Sequence, residues 1–231
     1  MHIIGFIVTI LIGVILGLVG GGGSILTLPV VYYFFGISMT QAPTYSLFIV
    51  AMAALVGVMK RIKTKDFEIK AGILFVIPST IVAFVMRLWI MPLIPEKFEL
   101  IGMETSKDFM MSVLLILVMM ITAIRMIFKK EMTEEFSTSI GRIFIYGSFT
   151  GFLAGIIGAG GGFIIVPALT KMGLSMRKAI GTSMLIITIQ SFGALIGDVL
   201  NKQITNESFD FMLLGYLTIL TVIGVQVEKK A

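Results

Sequence analysis

Long stretches of this chain are apolar, and its charged residues are confined to the short segments between them. Residues 3–59 contain no Asp, Glu, Lys or Arg, and further uncharged runs cover 71–86, 109–124, 143–170, 179–197 and 211–227. A helix needs about 20 apolar residues to cross a hydrocarbon layer, and these runs reach or approach that length. The period-2 alternation that is typical of membrane barrels is absent. The pattern therefore predicts an all-α polytopic membrane protein.

The same pattern predicts long helices and two short apolar segments. We expect helices at about 3–19, 43–59, 70–94, 109–128, 141–157, 178–198 and 209–227. The short segments lie at about 24–35 and 162–172, and each begins after a glycine tract and contains a proline. About a dozen residues make only ~18 Å of helix. We therefore interpret both short segments as broken or partial spans.

One motif occurs twice along the chain. Gly17-Leu-Val-Gly-Gly-Gly-Gly-Ser-Ile-Leu-Thr-Leu-Pro29 matches Gly155-Ile-Ile-Gly-Ala-Gly-Gly-Gly-Phe-Ile-Ile-Val-Pro167, 138 residues later. After the prolines, Gly36-Ile-Ser-Met39 matches Gly173-Leu-Ser-Met176 at an offset of 137 residues. Duplicated glycine-interrupted segments are typical of transporters built from inverted repeats. We expect a first membrane repeat at 1–128, a cytoplasmic connection at 129–140 and a second membrane repeat at 141–231.

The basic residues predict how these repeats are oriented. Clusters of Lys and Arg occupy the connections at 60–70, 125–142 and 171–178 and the end of the chain, whereas those around 96–108 and 198–210 hold more acidic residues. If both short segments cross the membrane, every basic cluster falls on one side, which the positive-inside rule assigns to the cytoplasm. Five crossings then separate the repeats, so we expect them to be inverted. A re-entrant second segment would place the 171–178 cluster outside.

The second repeat is one helix shorter than the first. The helix at 109–128 would have its counterpart at about 246–265, beyond Ala231. We expect a second repeat that lacks its last helix, and we favour truncation over loss of the helix or its supply by another subunit.

Composition narrows the classes of function. Only 13% of the 231 residues are charged, against about 25% in soluble domains. The chain has no cysteine, and His2 is its only histidine, so thiolate metal sites are excluded and the deep serines have no histidine partner. Neither glycine tract is followed by the Gly-Lys-Ser/Thr of a nucleotide P-loop. We expect no enzyme, no metal, no cofactor and no nucleic-acid partner.

The glycine tracts are the candidate site for an anion. Glycine lets the backbone approach a ligand closely and point its N–H groups at it, and a helix that begins there adds its positive dipole end. The hydroxyl groups nearby can donate to an anion or bond back to the preceding turn. Close packing of helices is the alternative role for the glycines. The predicted substrate-binding residues are Gly20, Gly21, Gly22, Gly23, Ser24, Ser46, Gly158, Gly160, Gly161, Gly162, Thr182, Ser183 and Gln190.

Two charged residues inside predicted helices are candidates for a functional role. Arg87 lies beside Trp89 in a hydrophobic segment, where it either snorkels to the outer surface or attracts the anion. Asp198 ends its predicted helix, and we interpret it as interfacial, with a proton-coupling carboxylate as the alternative.

The duplicated motifs, together with Ala179-Ile-Gly-Thr-Ser183 downstream, resemble the sulfite exporter TauE/SafE family of membrane permeases. The resemblance covers nearly the whole chain. It implies a duplicated helical fold and movement of sulfite, sulfonates or related small organic anions. It also implies that both glycine tracts, their prolines and Gly181 to Ser183 are motif positions. The first copy departs from the pattern, because it has Ala42-Pro-Thr-Tyr-Ser46 where the family shows Ala-x-Gly-Thr-Ser.

These observations predict a secondary transporter, a permease or exporter, that moves a small anion across the cytoplasmic membrane. Its partners would be the anion, the lipid bilayer and a coupling ion, either H⁺ or Na⁺. We expect a multi-pass protein of the plasma membrane. A channel-like anion pore and a truncated or non-transporting partner subunit stay open as alternatives, as does assembly into a homo-oligomer.

Overall fold

The computed structural model describes residues 2–62, 66–95, 97–100, 103–127, 140–201 and 209–227. A 3-10 turn at Gly20–Gly23 joins the first two helices, and a π-helical turn at Met86–Ile90 joins the fourth and fifth. Strands β1 (Lys97–Leu100) and β2 (Met103–Ser106) form an antiparallel hairpin. The helices are α1 His2–Val19, α2 Ser24–Phe35, α3 Ala42–Ile62, α4 Ile69–Val85, α5 Met91–Leu93, α6 Lys107–Ile127, α7 Ile140–Ile157, α8 Gly162–Lys171, α9 Met176–Leu200 and α10 Phe211–Val227.

The predicted all-α membrane fold is confirmed, and each predicted helix is present with ends shifted by a few residues. The hairpin at 97–106 was not predicted, because this segment is polar and short. Most of the predicted connection at 129–140 lies outside the described residues. Judged by length and composition alone, three helices in the described ranges could cross a membrane, namely Ala42–Arg61, Ile69–Leu93 and Met176–Leu200.

Helices α3, α4 and α9 form the centre of the fold, and their contacts give their relative directions. Thr44 at the start of α3 bonds Asp198 near the end of α9, whereas Gly57, late in α3, packs on Met184, early in α9. These two helices therefore run antiparallel. By contrast, α4 and α9 run parallel, because Gly72 lies beside the start of α9 and Gly197 lies beside the end of α4.

The first helix of each predicted repeat packs against the fourth helix of the other. Gly13 of α1 meets Gly224 of α10, and Gly151 of α7 meets the backbone of Ser79 in α4. Glycine at these crossings lets the two backbones touch, which stabilises helix pairs in a bilayer through close packing. These two helix pairs join the predicted repeats to each other.

Two basic residues at the end of α3 show that three helices end on the same side. Arg61 donates from Nη2 to the carbonyl oxygen of Gly17 at the end of α1 (3.1 Å), and Lys60 donates from Nζ to that of Val225 near the end of α10 (2.6 Å). Cations favour the C-terminal ends of helices. Because α1 and α3 end together, α2 returns between them, as the predicted crossing of the first short segment requires.

Apolar side chains fill the interior and also cover the outside. One buried cluster includes Leu28 and Leu217, and another includes Phe75 and Ile165. On α4, the outward residues at every fourth position are all at least half exposed, which are Ile69, Ile73, Ile77 and Ile81. A continuous apolar outer face is what a helix presents to lipid.

Candidate functional site

The two glycine tracts meet at the centre of the molecule. The backbones of Gly21 and Gly162 lie so close that a Cβ atom on either one would collide with the other. Gly162 begins α8, and Gly21 lies in the turn that leads into α2. The N-terminal ends of both short helices therefore meet. Neither helix has a side-chain cap, although backbone carbonyl oxygens already accept from Ser24 N–H in α2 and from Ile164 N–H in α8.

The second tract faces polar side chains of α9. Gly160 and Gly161 both have left-handed backbones, with φ of +65° and +63°, which disfavour any residue with a Cβ. A Cβ on Gly160 would lie 2.8 Å from Ser191 Oγ, and one on Gly161 would lie 3.2 Å from Gln190 Nε2. Both glycines therefore keep the tract in contact with these two side chains.

The first tract faces Ser183, which lies nearer the start of α9 than Gln190 and Ser191 do. A Cβ on Gly20, whose φ is +72°, would lie 2.8 Å from Ser183 Oγ. Gly22 and Gly23 complete this turn, and Gly23 packs on the backbone of Leu16. Gly158, which opens the second tract, packs in the same way against Pro43 of α3. Each tract thus contacts the long helix of the opposite repeat.

Several buried polar groups have no hydrogen-bond partner, and two of them, on Gln190 and Ser191, lie against the second tract. Gln190 is unpaired at both Nε2 and Oε1, although it is fully buried. The hydroxyl oxygens of Ser191, Ser46 and Thr27 are also buried and unpaired. An unsatisfied buried polar group costs about 1–3 kcal/mol, so the five unpaired atoms of these four residues lower the stability of the fold. The donors among them, Gln190 Nε2 and the hydroxyl groups, could bind the oxygens of a solute.

The other predicted hydroxyl groups already have partners. Ser183 Oγ donates to the carbonyl oxygen of Ile180 (2.8 Å), and Ser24 Oγ donates to that of Gly21 (2.7 Å). Thr182 Oγ1 accepts a hydrogen bond from the backbone N–H of Glu68 (2.9 Å). Ser24 and Ser183 thus lie beside the tracts but support the local backbone, and Thr182 ties α9 to the segment before α4.

Arg87 and Asp198, the two charged residues that the sequence singled out, contact each other. They lie next to the second tract. Arg87 Nη2 and Asp198 Oδ2 form an ion pair of 2.8 Å, with side chains that are 1% and 0% exposed. Thr44 Oγ1 donates to the same carboxylate oxygen (2.9 Å). Asn201 Nδ2 donates to the carbonyl oxygens of Arg87 and Leu88, which belong to the π-helical turn.

The interpretations of Arg87 as a snorkelling residue and of Asp198 as an interfacial one were therefore wrong. Neither side chain reaches the surface, because each neutralises the other inside the protein. Sequence spacing could not reveal this pair, since its members lie on different helices, 111 residues apart.

Sequence reasoning also missed Ser191, Thr27, Thr44 and Asn201. A signal for Ser191 was present, because Ser183, Gln190, Ser191 and Asp198 follow helical spacing along one face of α9. Thr27 and Thr44 gave no such signal, because single threonines in apolar helices usually bond back to the preceding turn.

Comparisons with known proteins agree with this architecture. The sequence profile described as sulfite exporter TauE/SafE matches residues 5–230. The probable membrane transporter protein YdhB of Bacillus subtilis is 27% identical over 228 residues, which cover 97% of this chain and 87% of that protein. A probable membrane transporter protein of Methanocaldococcus jannaschii is 27% identical over 204 residues, or 84% of this chain and 69% of that protein. No solved structure matches the chain. With nearly its whole length matched, this integral membrane protein belongs to the sulfite exporter TauE/SafE family of transporters.

Proposed function

We propose that the chain is a multi-pass secondary transporter of the cytoplasmic membrane that moves a small sulfur oxyanion, such as sulfite or a sulfonate. The observation that carries this proposal is the contact between the N-terminal ends of the two short helices, beside the buried and unpaired side chains of Gln190 and Ser191. Backbone N–H groups, an amide and hydroxyl groups are the donors with which proteins bind anions without a formal positive charge.

The donors around the tracts favour an oxyanion over a halide. Gln190 offers two donors at Nε2 and an acceptor at Oε1, and Ser191 and Ser46 offer hydroxyl groups. A sulfite or sulfonate group presents three oxygens, so it can accept from several of these donors at once. Because Arg87 is paired with Asp198, the positive potential at the tracts comes mainly from the helix ends.

We further propose that the two repeats are inverted and exchange access to this site between the two faces of the membrane. The antiparallel course of the corresponding helices α3 and α9 supports this arrangement. The contact of both tracts with the helix of the opposite repeat supports it too, because a shift of one repeat against the other would reshape the site.

The experiment is uptake of labelled sulfite into proteoliposomes that contain the purified chain. We expect saturable uptake and counterflow, which distinguish a carrier from a pore. Gly21→Val should abolish uptake because its side chain would collide with the backbone of Gly162, and Gly161→Val should do so because its side chain would meet Thr150 and Gln190. Gly215→Val is the matched control, since a Cβ at Gly215 in α10 meets nothing within 4 Å. Unchanged uptake in Gly161→Val would refute the proposed site.

A chain that serves only as a partner subunit would behave differently. Purified wild type would then show no uptake or counterflow of sulfite, sulfate or methanesulfonate, although it folds and incorporates into the liposomes. That result would refute transport by this chain alone.

A further inference from the structure

Burying the ion pair of Arg87 and Asp198 costs free energy. An anion site made of uncharged donors does not require such a pair. Two charges buried at 1% and 0% exposure have each lost several kcal/mol of hydration. Ionisable groups at membrane depth mark functional positions. In addition, Arg87 Nε and Asp198 Oδ1 are buried without a hydrogen-bond partner, so the pair is held with part of its bonding capacity unused.

The pair lies next to the second glycine tract. Thr44, which bonds Asp198, directly follows Pro43, which packs on Gly158. On the other side, a Cβ on Gly155 would lie 2.6 Å from Cβ of Met86, the residue before Arg87. The ion pair is therefore connected to the tract through two neighbouring contacts, one through the start of α3 and one between the π-helical turn and the end of α7.

Charge balance links this pair to the anion. The pair is neutral as it stands, so a monovalent anion such as a sulfonate bound at the tracts leaves the interior with a net charge of −1. Such a charge is costly in a medium of low dielectric. If a proton joins the Asp198 carboxylate, the pair gains a net charge of +1, and Arg87 then compensates the anion.

Other ionisable groups on the surrounding elements are engaged elsewhere. On α6, Lys107 donates to the carbonyl oxygen of Met91, and Asp108 accepts from Thr40. Asp210 caps α10 through its carboxylate. Arg87 of the π-helical turn and Thr44 of α3 are the groups that contact the Asp198 carboxylate. Among the buried residues of the described ranges, Asp198 is the one carboxylic acid.

We infer that Asp198 is the proton-coupling site of the transporter, so that one proton binds at its carboxylate together with each anion at the glycine tracts. This inference rests on the proposed function. The step breaks no covalent bond in the anion, because the proton comes from solvent, converts the carboxylate to a carboxylic acid and loosens its bond to Arg87.

The test is calorimetric binding of methanesulfonate and of sulfate to the purified full chain, in buffers that differ in ionisation enthalpy. Neither probe takes up a proton near neutral pH, so any proton counted enters the protein. For the wild type we expect about one proton for each anion bound. Asp198→Asn should take up none, and it should bind the anion more tightly than the wild type at alkaline pH, because the amide mimics the protonated acid.

The possible results separate the coupling role of Asp198 from the proposed transport function. Binding to the wild type without proton uptake would overturn the coupling role and leave the proposed function standing. Failure of the wild type to bind either probe would refute the proposed site, and the coupling role with it. Thr188→Val is the control on the same helix, because its hydroxyl only bonds the carbonyl oxygen of Met184, and it should keep the wild-type count. If Asp198→Asn does not fold, the number of protons taken up by the wild type decides. Asp198→Glu should then take up the same number of protons as the wild type.

Discussion

Helices α3 and α9 occupy corresponding places in the two predicted repeats, yet they present different side chains to the glycine tracts. At an offset of 137 residues, Ser46 of α3 corresponds to Ser183 of α9. Beyond this shared serine the helices diverge, because Ala53 and Ala54 stand where α9 has Gln190 and Ser191. Both alanines are fully buried. At these two positions, therefore, α9 carries polar side chains and α3 carries alanines.

The two helices also differ at their ends. Arg61 of α3 corresponds to Asp198 of α9, and Arg61 bonds a carbonyl oxygen at the end of α1 whereas Asp198 is buried against Arg87. In the first repeat, the charge at this position therefore holds the end of α1. The second keeps a carboxylate inside, where its charge can respond to the anion.

Removing one charge of the Arg87–Asp198 pair should change the stability of the protein more than any other substitution considered. Arg87→Ala and Asp198→Ala should each destabilise the protein by about 3–5 kcal/mol, because each leaves an unpaired buried charge. The double variant Arg87→Met/Asp198→Leu should be more stable than either single variant. Thermal unfolding in detergent measures all three. Single variants as stable as the wild type would contradict the buried pair.

Gln190→Leu should separate function from stability. The two side chains have similar sizes, and the substitution removes two unpaired polar atoms from the interior. Stability should therefore stay equal or rise, since replacing an unsatisfied polar group by an apolar one is neutral or favourable. Sulfite binding should weaken tenfold or more, as about 1.5–3 kcal/mol is expected for a bond to a charged ligand. Equal losses of binding and stability would instead indicate a structural role.

A matched pair of substitutions tests whether a hydroxyl group at the corresponding position of α3 can act as the Ser191 hydroxyl of α9 does. Ser191→Ala should weaken sulfite binding several-fold, corresponding to about 1 kcal/mol, and Ala54→Ser at the corresponding place on α3 should not strengthen it. Equilibrium binding of labelled sulfite measures both. Equal effects at the two positions would show that the site is symmetric.

The smallest effect concerns the π-helical turn that carries Arg87. Asn201→Ala removes two hydrogen bonds to the carbonyl oxygens of Arg87 and Leu88, and it should lower stability by about 1–2 kcal/mol. Gln41→Ala is a comparison at a polar position outside this turn, and it should leave the turn intact. A larger loss in the Gln41 variant would contradict a special role for Asn201.

Most of the fold was predictable because uncharged runs of span length have few structures open to them in lipid. The short helices α2 and α8 were predictable as well, since a glycine tract precedes each and a loop glycine ends α2. The π-helical turn was not, because it lies within a continuous, mostly apolar run, and the hairpin was not, because its segment is polar and short. For the site, spacing located the glycine tracts and Gln190, but only packing shows that Gly21 meets Gly162 and that Asp198 meets Arg87.

The central claim is that the glycine tracts and the polar face of α9 hold one oxyanion. Anomalous diffraction at the selenium edge, from crystals soaked in selenite as an analogue of sulfite, tests it most directly. The account predicts a selenium peak within hydrogen-bonding reach of Gln190 and beside Gly161, and the loss of that peak in Gln190→Leu. A peak at another place, or one that persists unchanged in Gln190→Leu, would contradict it.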